Sequence, residues 1–190
     1  MRRQRVSVRA ALFFSLVWLV GLWPLSSRAQ DIARLAVSLG PSYVRFDSKT
    51  LGFPGNSNLL GGTGEATFNI TRSFGATGQI YADYGDHVHL KGWMAGAQFN
   101  HLKWHGMLFG HVLFGKTQTR VETVVGNRAF LTGRSYALGG GYEFPISQRF
   151  SIRPIELDYL NTSTFGGQNN LRVSAALVYR WGALKKHVGP

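Results

Sequence analysis

The chain of 190 residues contains no cysteine. This absence excludes a disulfide framework, a thiolate nucleophile and every zinc or iron–sulfur site that needs Cys ligands. Acidic residues are few as well, with 9 Asp and Glu against 21 Lys and Arg, which gives a formal charge of +12. The apolar run at residues 10–22 is shorter than the ~20 residues that a membrane-spanning helix needs. A removable targeting segment therefore explains this run better than an anchor helix does.

The first 29 residues have the layout of a secretory signal peptide. Several arginines precede the apolar run, and Ser27 and Ala29 supply the small residues that suit a signal peptidase cutting after Ala29. We predict a signal peptide at residues 1–29, one domain at 30–182 and a short basic tail at 183–190. Because five of the 21 basic residues lie before the cleavage site, 16 basic and 9 acidic residues remain in the exported chain.

The remaining positive charge is spread along the chain rather than clustered. No group of Lys and Arg is interleaved with aromatics that could stack on bases, so no nucleic-acid partner is expected. A lipid surface that carries phosphate groups, as lipopolysaccharide does, is the more plausible partner for such a chain.

From Leu35 to Trp181 apolar and polar residues alternate with period two, which indicates β-strands rather than helices. Eight strands are predicted, although the facing of strands four and five stays undetermined. Pro154 interrupts the seventh strand, where a β-bulge would restore the alternation. The predicted connections alternate between longer and shorter: around 47–60, 71–73, 85–91, 101–103, 117–133, 145–149 and 161–168. This rhythm is typical of an all-β, eight-stranded antiparallel up-and-down transmembrane β-barrel.

The polar face decides between a membrane barrel and a soluble, lipocalin-like barrel. It is mostly Thr, Ser, Asn, Gln and Gly with a few charges of both signs, which suits a narrow hydrogen-bonded lumen better than a water-exposed surface. Charges held there must be paired, because a lone buried charge is very costly. The predicted lumen charge network comprises Glu65, Asp83, Glu143, Arg153, Glu156, Asp158, Arg172 and Arg180. A structural salt-bridge network is the first interpretation, and a gated proton or ion path is the second.

Aromatic residues gather near the predicted strand ends, as in the two interfacial belts of membrane barrels. The predicted aromatic girdle comprises Tyr84, Trp104, Tyr136, Phe144, Tyr159, Tyr179 and Trp181. In a soluble barrel these residues would instead be ordinary core aromatics.

Motifs that would indicate catalysis are missing. The chain has neither a His-x-Ser pair nor a Gly-x-Ser-x-Gly elbow, so no enzyme activity and no cofactor are expected. His87 and His89 stand two apart but have no third ligand nearby, so no metal site is predicted either. His111 is interpreted as a hydrogen-bonded lumen or interface histidine.

Over residues 31–182 the chain resembles the OmpA-like and OmpX-like outer-membrane barrels of Gram-negative bacteria. The resemblance rests on residues 137–141 (ALGGG), residues 153–159 (RPIELDY) and the terminal strand that ends in Tyr179, Arg180 and Trp181. Together these segments look like the small barrels common in acidobacterial-type genomes. The last strand also resembles the sorting signal read by the barrel-assembly machinery, although that family usually ends on the aromatic and this chain continues to Pro190.

The resemblance implies a structural or surface-interaction role in the cell outer membrane, such as envelope integrity or adhesion, with outer-membrane lipid and lipopolysaccharide as partners. The ligand of the loops, if there is one, is unknown. A narrow ion or small-solute channel and a periplasmic lipocalin-like binding barrel remain as alternatives.

Overall fold

A computed structural model describes residues 32–47, 56–86, 88–122, 128–163 and 167–183. The predicted signal peptide and most of the predicted tail lie outside these ranges. Within them, no helix is long and apolar enough to cross a bilayer.

Eight antiparallel strands form one closed barrel in which each strand pairs with its sequence neighbours and the last pairs with the first. The strands are β1 (Ala33–Asp47), β2 (Asn56–Asn69), β3 (Phe74–Tyr84), β4 (Val88–Lys103), β5 (Gly106–Glu122), β6 (Arg128–Pro145), β7 (Phe150–Thr162) and β8 (Gln168–Ala183). The predicted fold class, strand number and strand order are confirmed.

Most strands are longer than the sequence pattern predicts, and most connections are correspondingly shorter. The connection expected at 117–133 is wrong in length, because β5 continues to Glu122 and β6 begins at Arg128. The turn expected at 101–103 lies instead at Trp104 and His105, since β4 and β5 pair up to Lys103 and Gly106. Trp104 adopts a positive φ of 53°, a left-handed conformation that closes this tight turn. Sequence alternation marks only the part of each strand with contrasting faces, so it underestimates the strand ends.

Along each strand, side chains alternate between the barrel interior and the outer surface. On β1, Ser38 is 6% exposed and its neighbour Leu39 is 72% exposed. The outward positions are mainly apolar and the inward positions are largely polar. The predicted inside and outside faces of β1, β2, β3, β6 and β8 agree with this pattern.

The predicted bulge in β7 is present. The register between β7 and β8 shifts between Arg153 and Glu156, and Pro154 lies within this shift. Because proline has no backbone N–H to donate, a bulge is a position where it costs little. The shift lets Arg153, Glu156 and Asp158 all point into the barrel, where each is buried.

The interior has a polar, charged part and an apolar part. The apolar cluster consists of Val44, Phe46, Leu59, Tyr81, Val88, Leu90, Met94, Leu113, Ala137 and Leu160. Three strands show how the two parts are arranged. Leu59 on β2, Leu113 on β5 and Leu160 on β7 belong to the apolar cluster. Each lies farther from the short turn of its strand than the titratable interior residue does, which is Glu65, His111 or Asp158 respectively. The apolar cluster therefore lies toward the longer loops, and the charged part, apart from Asp83 on β3, lies nearer the short turns.

Candidate functional site

The centre of the charged interior is the guanidinium of Arg153, which the bulge in β7 turns inward. Its Nη1 donates to Glu65 Oε1 at 2.6 Å and to Glu156 Oε2 at 3.3 Å, and its Nε donates to Glu143 Oε2 at 3.2 Å. The guanidinium also lies over the ring of Phe109, 4.2 Å from its centroid. One cation thus ties together carboxylates from three strands, β2, β6 and β7.

A second buried guanidinium, Arg172 on β8, organises the neighbouring region. Its Nε and Nη2 donate to Asp158 Oδ2 at 2.9 and 2.6 Å, and Nη2 also donates to Gln79. The other oxygen of Asp158 accepts a hydrogen bond from His111 Nε2 at 2.9 Å. Asp158 on β7 therefore links Arg172 on β8 to His111 on β5.

Two residues of the predicted lumen charge network lie at its margins. Asp83 accepts a hydrogen bond from Ser42. Arg180 is less buried and lies with its Nε 3.9 Å from Glu143 Oε1. The structure places all eight residues of the network in the interior and joins seven of them, through Arg153, Arg172, Arg180 and His111, into a linked set.

His111 is the interior residue whose importance the sequence does not reveal. It is 1% exposed and lies between Asp158 and Glu65, with Nδ1 3.9 Å from Glu65 Oε2. The signal that could have found it is the alternation along β5. Phe109 and Leu113 point inward, and His111 lies two residues from each, so it shares their face. Its partners are distant in sequence, so no local pattern announces them.

Neutral polar side chains extend the hydrogen-bonded interior toward the short turns. The hydroxyls of Thr67 and Thr77 are 2.9 Å apart, and Gln98 donates to Asn100, which donates to Asn69 Oδ1 at 2.7 Å. These side chains come from β2, β3 and β4. A ladder of this kind satisfies buried polar groups without adding charge.

The seven residues of the predicted aromatic girdle all point outward. Tyr179 packs against Phe150 with ring centroids 5.3 Å apart, and Lys103 Nζ lies 4.8 Å from the ring of Trp104. The sequence missed the outward aromatics Trp93 on β4 and Phe114 on β5, the two strands whose facing was undetermined. It also missed Phe130 on β6, which fell within the connection expected at 117–133.

A basic and aromatic pocket of about 200 Å³ opens on the outer surface near the loop ends of β3 to β6. Its lining residues are Tyr84, His89, Lys91, Gln118, Arg120 and Phe130. Lys91 Nζ lies 5.6 Å from the Tyr84 ring, and the Arg120 guanidinium lies 5.5 Å from the Phe130 ring. His89, weighed above with His87 as a weak metal pair, packs on Tyr84 instead; His87 lies outside the described residues.

No protein-family model and no curated protein matches the chain. A closed antiparallel barrel with a charged interior and an apolar outer surface is the fold of small outer-membrane β-barrels, and solved structures of that class match it. Ail, the attachment invasion locus protein of Yersinia pestis, matches with a TM-score of 0.57 at 16% identity, over 79% of this chain and 99% of Ail. Neisserial surface protein A matches with a TM-score of 0.62 at 12% identity, over 78% of this chain and 98% of its own. At these identities the likeness establishes the fold.

Proposed function

We propose that the chain is an integral outer-membrane β-barrel protein with a structural or surface-interaction role. The observation that carries this proposal is the outward apolar surface of a closed barrel whose interior is polar and charged. Residues such as Leu39, Ile80 and Leu138 are more than half exposed on that surface. Exposed apolar area of this extent is unusual in a soluble monomer and matches the lipid-facing band of membrane barrels. No catalytic step is assigned, and an acidobacterial-type origin stays a prediction from the sequence.

The packing of the interior favours a structural role over a channel. The Arg153–Glu65 ion pair and the Arg172–Gln79 hydrogen bond cross the interior, and the apolar cluster packs there together with buried polar side chains on the loop side. An eight-stranded barrel is only wide enough for side chains to fill it. Continuous water passage would therefore require breaking both the ion pairs and the apolar cluster.

The basic and aromatic pocket supports contact with lipopolysaccharide. If the longer loops face outward from the cell, as in other barrels of this class, then Lys91 and Arg120 lie near the outer-leaflet headgroups. Cationic side chains next to outward aromatics suit phosphate groups at such an interface. Ail has been solved in complex with the heparin analogue sucrose octasulfate, so a barrel of this fold can bind a densely anionic ligand.

The proposal is tested by expressing the chain in a Gram-negative host and separating the membranes. We expect the protein in the outer-membrane fraction, with a gel mobility that changes on boiling because the folded barrel resists detergent. Recovery as a soluble periplasmic protein would instead support the lipocalin-like alternative.

The lipid contact is tested with the double variant Lys91→Gln/Arg120→Gln. We expect weaker binding of lipopolysaccharide to the refolded barrel than in the wild type, and the difference should shrink at high salt. Lys103→Gln, which removes a charge at a short turn on the opposite end, is the matched control and should bind normally. Equal binding by all three proteins would contradict the assignment of the pocket.

A further inference from the structure

Three buried side-chain atoms that could bind a metal ion converge in the barrel interior without hydrogen-bond partners in the described part of the chain. They are Glu65 Oε2 on β2, His111 Nδ1 on β5 and Glu156 Oε1 on β7. None of the three has a hydrogen-bond partner among the described residues. One donor atom from each residue lies within 4.8 Å of the others, and His111 Nδ1 is 3.9 Å from Glu65 Oε2. Orphaned buried polar atoms are costly, so this convergence requires an explanation.

Each of the three side chains is held by a partner that leaves the converging atom free. His111 Nε2 lies 2.9 Å from Asp158 Oδ1, so the other ring nitrogen, Nδ1, is the one that faces Glu65. Arg153 occupies the opposite oxygens of the two glutamates, Glu65 Oε1 and Glu156 Oε2. Histidines that bind a metal through one ring nitrogen usually hydrogen-bond through the other to a group such as a carboxylate, which is the place of Asp158 here.

The charge balance of the barrel interior also favours a bound cation. Among the described residues, five carboxylates face inward, those of Glu65, Asp83, Glu143, Glu156 and Asp158, against the three guanidiniums of Arg153, Arg172 and Arg180. Two more carboxylates than guanidiniums therefore lie in the interior, and His111 lies beside two of these carboxylates, Asp158 and Glu65. Isolated buried charge is strongly unfavourable, and one divalent cation would supply the two missing positive charges.

We propose that Glu65, His111 and Glu156 form a binding site for a divalent transition-metal ion, with Zn²⁺ as the best-fitting ion. One imidazole nitrogen and two carboxylate oxygens match zinc chemistry, whereas Ca²⁺ and Mg²⁺ favour sites made of oxygen alone. Tetrahedral zinc ligands stand about 3.4 Å apart, so a small inward movement of the carboxylates would bring all three side chains onto one ion, with a water molecule as the fourth ligand. The sequence predicted no metal because these donors lie on three separate strands.

The position of the site assigns it a structural task. β2, β5 and β7 are not hydrogen-bonded neighbours in the barrel, so a metal bound by all three would brace the interior across strands. The three ligands are buried, and the metal is therefore expected to enter while the barrel folds.

The test begins with the untagged chain refolded in detergent with and without Zn²⁺, desalted, and analysed for metal by mass spectrometry. Gel mobility before and after boiling confirms folding in each sample. We expect about one zinc per folded barrel and a higher unfolding temperature in the zinc-loaded sample, because metal bound to the native state stabilises it. Refolding with Co²⁺ should give the visible absorption of a nitrogen- and oxygen-bound ion.

Variants separate this site from metal held on the surface. His111→Ala should lose the retained zinc, and Asp158→Asn should lower zinc affinity by about 10- to 100-fold through the orientation of His111. One control should keep the metal, because His101→Ala removes an exposed histidine that is not among the proposed ligands.

Folded wild-type barrels that hold no zinc would overturn the proposal, and so would zinc retention in folded His111→Ala or equal loss in His101→Ala. If His111→Ala fails to fold, the zinc content and Co²⁺ spectrum of the wild type decide the matter alone.

Discussion

An arginine placed in the middle of the outer surface should destabilise the barrel in a lipid bilayer. Leu39 lies near the centre of β1, 72% exposed, between Gly64 on β2 and Leu177 on β8. At the bilayer midplane, Leu39→Arg should cost about 2–4 kcal/mol of unfolding free energy, because the guanidinium is forced into hydrocarbon. If the same surface faced water, the change would stay within about 0.5 kcal/mol, as at ordinary surface positions.

The assay is reversible denaturant unfolding of the barrel refolded in lipid vesicles, followed by tryptophan fluorescence. Gln118→Arg is the matched control, since Gln118 is exposed on the outer surface close to the loop end of β5, where an arginine costs only about 0–1 kcal/mol. Both variants should keep the wild-type denaturant slope, so that midpoint shifts report stability. Equal, near-neutral effects of the two substitutions would refute the lipid-facing assignment.

Three further outcomes follow from the interior. Arg153→Met should cost about 3–5 kcal/mol in the same unfolding assay, because its three carboxylate partners stay buried without their cation; a neutral result would mean that the carboxylates are already neutralised by other means. Gly139→Ala should be destabilising by about 1–3 kcal/mol, since an added Cβ would lie 2.7 Å from the carbonyl oxygen of Leu157 and would crowd Asp158. Gly78→Ala, whose Cβ would meet nothing within 4 Å, should be close to neutral; equal costs would contradict the packing. In planar bilayers the wild type should show no steady single-channel conductance, and regular channel openings would favour the narrow-channel alternative.

The sequence predicts the fold well where the two faces of a strand differ in polarity. β3 and β8 alternate apolar and polar residues along most of their length, so their outward faces can be assigned without a structure. The bulge at Pro154 is predictable too, because the alternation changes phase there and proline tolerates the break. These signals are local, since each depends on residues within one strand.

The facing of β4 and β5 could not be predicted because the interior beside them is itself apolar. Met94 and Leu113 point inward, while Trp93 and Phe114 point outward, so the contrast between the faces disappears. Glycines at 92, 96 and 110 weaken the pattern further.

The pairing of the charged side chains could not be predicted from the sequence for a different reason. Arg153 and Glu65 are 88 residues apart, and His111 and Asp158 are 47 apart. Their meeting depends on strand register and barrel closure, which hydrophobic alternation does not encode. The sequence could assign these residues to the interior but not to one another.

The measurement that tests the membrane assignment most directly is the solvent accessibility of spin labels on two adjacent residues of β8. Because the chain has no cysteine, Leu177→Cys and Val178→Cys can each be labelled singly in barrels refolded in lipid vesicles. Leu177 points outward and Val178 is buried in the interior. We predict that a label at 177 collides readily with apolar oxygen and rarely with a water-soluble relaxation agent, while a label at 178 is shielded from both. A label at 177 that meets the water-soluble agent more often than oxygen would contradict the outer-membrane barrel.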